Sequence, residues 1–410
     1  MHPLPARAGL LGFCRLIDVH PLHEHTVNRA GIARELSAVV HFLLTRHRLN
    51  PSIFTSEFDR DAMIKKAKHP TLNEVARKAG VGTTTVSRVI NGGHLVDPKT
   101  LARVRRVIKD LGYMPNQAAR TLKGARTRMI GFIIPSIADP FFSSCAEAAQ
   151  VVARANESLL IVLTTQNNPK AELDEVNVLM RHRADGFIIA PANSRSKALR
   201  NLLQRISIPV VALDRPIEGS NIPSVVVDNF AGAHLATQHL IEHGYKRIAC
   251  LTGEVSLYTI HERIRGYREA IEAAGLDCLL DISVHDYPTA EHAIKKLFAA
   301  SNPPDAIFTL KNSTTIHTFE ALQRRNISVP DEVALLGYDD FELSNRVWPA
   351  ISVIQQPIEE LGRVAAGLLF EQLNDSIASG GSTRRSRPQQ VQLTTRLVCR
   401  RSCGCLSSIA

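Results

Sequence analysis

No apolar run in this sequence approaches the ~18 residues that cross a bilayer, which excludes an integral membrane protein of the helical kind. The best N-terminal candidate, residues 36–44, is interrupted by His41 and lies too far into the chain for a secretory leader. A cytoplasmic protein with no membrane partner is therefore expected. Also missing are the short motifs that carry common chemistries: a GxGxxG after a strand, a GxxxxGK[ST] phosphate loop, a GxSxG elbow and an HExxH zinc helix. Without them neither catalysis nor a cofactor has a carrier, and the expectation is a protein that is not an enzyme. The cysteines at 14, 145, 250, 278, 399, 403 and 405 show no paired CxxC spacing, so neither disulfides nor a zinc site is implied. Cys399, Cys403 and Cys405 do cluster, but no histidine or second cysteine pair adjoins them in sequence. Residues 399–410 are expected to form a frayed tail without metal.

What the chain does have is length and a lopsided charge. At 410 residues and 44% hydrophobic content it can build two or three domains with substantial cores. The net charge is +10, yet residues 63–128 alone hold 15 Lys and Arg against Glu74, Asp97 and Asp110, a local +12 that leaves the remainder at −2. Concentration of basic charge in one short stretch marks a nucleic-acid-binding module. Residues 1–62 show no sustained period and no motif. Met63, which opens a short basic arm, is a sensible true start, with the preceding segment of unknown role.

Within the basic stretch, Leu72, Val75, Ala76 and Ala79 fall on one helical face, and Gly80-Val81-Gly82 separates them from a second short helix over residues 83–90. A third helix follows, with Asp97 as N-cap, Pro98 at the first position and a stop at Gly112. Two short helices around a three-residue turn in a basic segment read as a helix-turn-helix, whose second helix enters the major groove. Its outward residues are Thr83, Thr84, Ser87 and Arg88. Arg88 can grip a guanine with two hydrogen bonds, and threonine can meet phosphate, base edge or thymine methyl. The headpiece thus spans residues 63–114. Residues 115–126 form a short linker helix expected to fold only with a partner, where Leu122 can wedge between base steps of the minor groove with Arg120 and Lys123 beside the phosphates.

Beyond residue 126 the texture changes to short β-rich runs (129–134, 159–163, 186–190, 210–213, 248–252, 306–310, 333–336) separated by amphipathic stretches. Strands alternating with helices indicate parallel sheets covered on both faces, and this many units suits two sheets better than one.

The motifs Leu72-Asn73-Glu74-Val75-Ala76, Ala79-Gly80-Val81, Thr85-Val86-Ser87-Arg88-Val89-Ile90-Asn91 and Gly112-Tyr113-Met114-Pro115-Asn116 resemble the lactose-repressor/galactose-repressor (LacI/GalR) family. The similarity continues through Ile130-Gly131, Asp139-Pro140-Phe141-Phe142, Gly337-Tyr338-Asp339-Asp340 and Ile354-Gln355-Gln356-Pro357, over residues 70–398. The resemblance implies an α/β protein with a small all-α N-terminal domain: a helix-turn-helix headpiece and a two-lobed, periplasmic-binding-protein-like core of parallel sheets at residues 127–398. It further implies a homodimer or tetramer that binds a palindromic double-stranded DNA operator, with Asn91 and Asn116 among the DNA contacts. Two departures stand out: Gly82 replaces the usual Ser or Thr cap, and Lys311-Asn312-Ser313 lacks the common Asn-Asp pair.

Ligands of open α/β lobes sit beyond the carboxyl ends of strands. Asp139, Asp214, Arg215, Asn229, Asn312 and Asp339 follow strand patterns there, and Arg263, expected to open a helix, points by resemblance into the same cleft. Phe141 and Phe142 supply an apolar wall. These residues suit a small polar metabolite, a sugar or a derivative. The expected function is a transcription regulator, a repressor controlled by a sugar-like effector; a nucleobase or sugar acid as effector, and activation in place of repression, stay open. A secreted sugar-binding protein would leave the basic headpiece unexplained.

Overall fold

The structure is a computed structural model, described here for residues 70–93, 95–114, 126–378 and 390–405. The expected contacts Asn116, Arg120, Leu122 and Lys123, the linker helix and the proposed start at Met63 lie outside the described residues. The chain divides into two compact units, Met1–Pro115 and Asn116–Ala410.

In the first unit, α1 (Leu72–Ala79), α2 (Thr83–Ile90) and α3 (Pro98–Leu111) adopt the expected bounds. Each start has a local cause. Thr71 and Glu74 form a reciprocal capping box on α1, and the Asp97 carboxylate accepts from the Lys99 and Thr100 amides at the head of α3. Gly80 ends α1 at φ 64°, a left-handed turn that L-residues with a Cβ resist. The three helices close on Val75, Ala76, Ala79, Val86, Val89 and Val104. Only α2 lacks a side-chain cap, because Gly82 stands at its N-cap. A side chain at Gly82 has room, with Thr84 Oγ1 no nearer than 3.5 Å to its Cβ and φ at −71°. Gly82→Ser should therefore stabilise the headpiece by a few tenths of a kcal/mol, read as a raised thermal midpoint. A lowered midpoint would show that the α2 amides are already satisfied.

The second unit holds two six-stranded sheets. The first runs β11-β5-β4-β3-β1-β2 and the second β12-β10-β9-β8-β6-β7. The strands are β1 (Met129–Ile134), β2 (Leu159–Thr164), β3 (Gly186–Ile189), β4 (Val210–Leu213), β5 (Ser224–Val227), β6 (Ile248–Leu251), β7 (Leu279–Asp281), β8 (Ala306–Thr309), β9 (Ala334–Tyr338), β10 (Ser352–Gln355), β11 (Gln390–Leu393) and β12 (Arg396–Val398). All pairings are parallel except β10 with β12. Alternation along β1 divides its side chains between two cores: Ile130, Phe132 and Ile134 face one, Ile133 the other. Burial on both faces is why these strands read as unbroken apolar runs.

The helices are α4 (Pro140–Ala155), α5 (Pro169–Arg181), α6 (Lys197–Arg205), α7 (Asn229–Glu242), α8 (Tyr258–Ala273), α9 (Tyr287–Phe298), α10 (Asn312–Arg324) and α11 (Ile358–Ala378). Three links join the lobes. After β5 of the first sheet, α7 packs Ala233, Ala236 and Leu240 into the second lobe. After β10 of the second sheet, α11 packs Leu361, Ala365 and Leu369 into the first. Two residues then carry β11 of one sheet into β12 of the other. Helices α7 and α8 approach so closely that a Cβ on Gly266 would collide with the Phe230 carbonyl oxygen and come within 2.9 Å of His234 N. Gly266→Ala should cost about 1–3 kcal/mol by overpacking, measured by urea unfolding, and an unchanged midpoint would mean that the helices part freely.

Arg263 does not open a helix as expected. It sits more than one turn inside α8, which begins at Tyr258 behind Leu257, a residue with no capping side chain. The tail also departs from expectation. Ser402 and Cys403 are fully buried, and Ser402 Oγ accepts from Ser352 N at 2.8 Å while its carbonyl accepts from Leu335 N at 2.7 Å. Through Cys405 the tail is packed, not frayed.

Candidate nucleic-acid interface and effector cleft

On α2 the apolar residues Val86 and Val89 face the headpiece core, which turns Thr83, Thr84 and Arg88 outward and leaves Ser87 half-exposed. Asn91, the C-cap of the same helix, is exposed as well. Arg77, Lys78, Lys99, Arg103, Arg105, Arg106 and Lys109 are also exposed on this unit. The recognition-helix residues and a surrounding field of cations therefore coexist on one small unit, the combination that base readout and phosphate attraction require.

In the second unit the strand ends converge on a chamber of about 220 Å³, below the ~300–1,000 Å³ of sites that hold drug-sized ligands. Asp139, Phe141, Phe142, Asp214, Arg215, Arg263 and Asp339 line it. Both sheets repeat one strand order, with β1 beside β3 and β6 beside β8 at the points where the winding reverses, the place where doubly wound sheets open a crevice. Asp214 and Asp339 follow β4 and β9 with φ of 65° and 73°. Left-handed backbone is unfavourable for a residue with a Cβ, and its use at both strand ends concentrates strain where two carboxylates enter the chamber.

The guanidiniums are fixed before any ligand arrives. Arg263 Nε donates to Asn229 Oδ1 at 2.7 Å, its Nη1 donates to the Leu310 carbonyl at 2.7 Å and lies 3.5 Å from Asp339, and the group stacks 3.6 Å above the Tyr338 ring. Arg215 Nε donates to Asp214, and its Nη1 donates to Asn167 Oδ1 at 2.9 Å and to the Pro191 carbonyl at 3.0 Å. Burial pushes the Asp214 carboxyl above its usual range against the pull of Arg215 and Arg263. Burial also raises Asp139, helped by the negative charge of Asp339 and opposed by the Phe141 amide that Asp139 caps. Phe141 and Phe142 meet edge to face at 4.9 Å and close the apolar side.

Two candidates lie just behind or beside the chamber walls. Asn229 supports Arg263 and is not among the chamber walls. Asn312 lines a wider, open trough of about 760 Å³ and accepts from its neighbour Ser313 N at 2.6 Å, since α10 has no other side-chain cap. The trough adjoins the chamber, sharing Phe141, Asp339 and Gln356 with it, and the buried polar groups of the chamber mark that part as the better ligand site. Sequence reasoning missed Gln166, Asn167, Thr259 and Gln356 in the chamber wall. Gln356, in the motif after β10, donates to Asp339, and its Oε1 is buried without a partner among the described residues.

The family model described as periplasmic binding proteins and sugar binding domain of LacI family matches residues 127–400, and that of bacterial regulatory proteins, lacI family, matches residues 71–116. The chain belongs to the LacI family. It is similar to the ribose operon repressor of Escherichia coli (strain K12), 32% identical over 309 residues, covering 74% of this chain and 93% of the relative. A solved complex of the transcriptional regulator CelR with cellobiose aligns at TM-score 0.60 and 30% identity, covering 81% of this chain and 99% of CelR. The lac repressor dimer bound to operator and an anti-inducer aligns at TM-score 0.72 over 82% of this chain and 99% of that one, and at 23% identity it speaks for the fold alone. A LacI-family chain is a DNA-binding transcription regulator under the control of a small molecule, which accounts for both halves of this one. Among the described residues no helix is long and apolar enough to cross a membrane.

Proposed function

We propose that this LacI-family protein is a homodimeric repressor that reads a palindromic operator through Thr83, Thr84, Ser87, Arg88 and Asn91 and releases it when a monosaccharide or sugar acid enters the chamber. The chamber carries the reading: the buried guanidiniums of Arg215 and Arg263, the Lys311 ammonium and the carboxylates of Asp139, Asp214, Glu254 and Asp339 surround about 220 Å³, floored by Phe141 and Phe142. Each sugar hydroxyl can donate to an aspartate and accept from an arginine, whereas an apolar ligand would leave those groups desolvated and unpaired at about 1–3 kcal/mol each. The effector acts only if it prefers one arrangement of the lobes, because equal affinity for both shifts nothing. Repression is favoured by the ribose-operon relative.

The test begins with selection of a binding duplex from a random library, followed by titration of sugars, sugar acids and nucleobases against the complex. Release by a polyhydroxylated ligand supports the proposal; a response confined to nucleobases, or tighter binding with sugar, overturns it. On the selected duplex Arg88→Ala should lose about 1–3 kcal/mol and relax preference at one base pair. Equal losses on selected and random duplexes would assign Arg88 to phosphate alone.

A further inference from the structure

Away from the effector chamber, three sulfurs and two imidazoles meet where the tail crosses α7. His239 Nε2 lies 3.4 Å from Cys403 Sγ, 3.7 Å from Cys405 Sγ and 3.9 Å from Cys399 Sγ. The Cys403 and Cys405 sulfurs are 3.3 Å apart, and His243 Nε2 lies 3.2 Å from Cys405 Sγ. We propose that His239, Cys403 and Cys405, with a fourth ligand from Cys399 or His243, form a binding site for a thiophilic divalent cation of the zinc class.

The spacing carries the assignment. Tetrahedral bonds of ~2.3 Å to sulfur and ~2.0–2.1 Å to nitrogen set neighbouring donor atoms about 3.3–3.8 Å apart; the contacts among His239, Cys403 and Cys405, at 3.3, 3.4 and 3.7 Å, lie in that range, and those to His243 and Cys399, at 3.2 and 3.9 Å, lie at its edges. His239, Cys403 and Cys405 present donor atoms that all lie within 4.8 Å of one another.

The surroundings hold these donors in place. His243 Nδ1 lies 2.9 Å from the His239 carbonyl, which can only accept; Nδ1 therefore carries the proton and Nε2 turns its lone pair toward Cys405. The Ser352 hydroxyl donates to Cys403 Sγ at 3.0 Å, and Tyr245 Oη donates to the Cys403 carbonyl at 3.3 Å. Gly404 turns the chain between the two cysteines at φ 87°, a left-handed backbone that a residue with a Cβ resists, and a Cβ there would come within 2.6 Å of Tyr245 Oη. Soft thiolates with imidazole select zinc over magnesium or calcium. Loading would staple the tail to the helix whose first residue, Asn229, holds Arg263.

The full chain, reduced and freed of metal by chelation and dialysis, should take up one Zn²⁺ per chain in competition with a chromophoric chelator and gain thermal stability. Co²⁺ should give the intense d–d bands of a tetrahedral site with thiolate-to-metal charge transfer. Cys403→Ser with Cys405→Ser, and separately His239→Ala, should weaken Zn²⁺ binding about 100-fold or more. Cys278→Ser, which alters an exposed cysteine outside the cluster, should leave it unchanged. Circular dichroism confirms that each variant is folded. The proposal fails if the reduced chain gives an octahedral Co²⁺ spectrum, if the double serine variant binds Zn²⁺ as tightly as the parent, or if the thiols take up no metal and only form a Cys403–Cys405 disulfide on oxidation.

Discussion

Arg263→Lys is expected to leave the protein folded and bound to its operator while weakening the effector response at least about tenfold, the equivalent of ~1.4 kcal/mol. Lysine keeps the positive charge beside Asp339 but cannot hold Asn229 Oδ1, the Leu310 carbonyl and the Tyr338 face at once, because its ammonium is a point where the guanidinium is a fork. Arg263→Ala goes further. It leaves Asp339, already 7% exposed, without its cation, and breaking a buried pair in this way costs about 3–5 kcal/mol. Loss of fold in the alanine variant together with a folded, unresponsive lysine variant would fit the assignment. An effector titration unchanged in Arg263→Lys would remove Arg263 from the ligand site.

Residues such as Arg263 show where sequence stops informing. The headpiece was legible because its signals are local: Thr71 and Glu74 cap α1, Gly80 ends it, and Asp97 with Pro98 starts α3. No such signal marks the start of α8 behind Leu257, so Arg263 was placed at a helix start that lies five residues earlier. The central strands stood out because both their faces are buried, whereas β7 and β12, three residues each at sheet edges, carry too little pattern to be seen. The strand-end aspartates were visible as polar residues after apolar runs. Asn167 and Gln356 were not, since their roles arise from Arg215 and Asp339, partners 48 and 17 residues away. The sulfur–imidazole cluster is the extreme case. His239 and Cys403 are separated by 164 residues and are brought together by the chain's last crossing between sheets and the packing of the tail on β10.

Stability should fall as pH rises from about 4.5 to 7, and Glu172 is expected to supply the largest single part of that loss. Its side chain is fully buried in the first turn of α5, where Oε1 accepts from Ala192 N at 2.6 Å and Oε2 has no partner among the described residues. Burial lifts its pKa from the ordinary 4.5 to about 7, against the Ala192 amide and the charge of Arg215. The folded chain therefore holds a proton that the unfolded chain has released across this window. Because the native state binds more protons there, raising the pH favours unfolding. A shift from 4.5 to about 7 corresponds to roughly 3 kcal/mol, present below pH 4.5 and gone above pH 7. Asp139 and Asp214, also raised by burial, add slopes of the same sign, so the comparison must be made against a variant. Glu172→Gln retains an acceptor for the Ala192 amide and cannot ionise. Urea unfolding at pH 5 and pH 8 should show the parent losing markedly more stability between the two than the variant, with the variant the more stable at pH 8. Parallel losses in both would place the carboxyl in contact with water or a cation that keeps it charged, and the buried site beneath Arg215 would have to be redrawn.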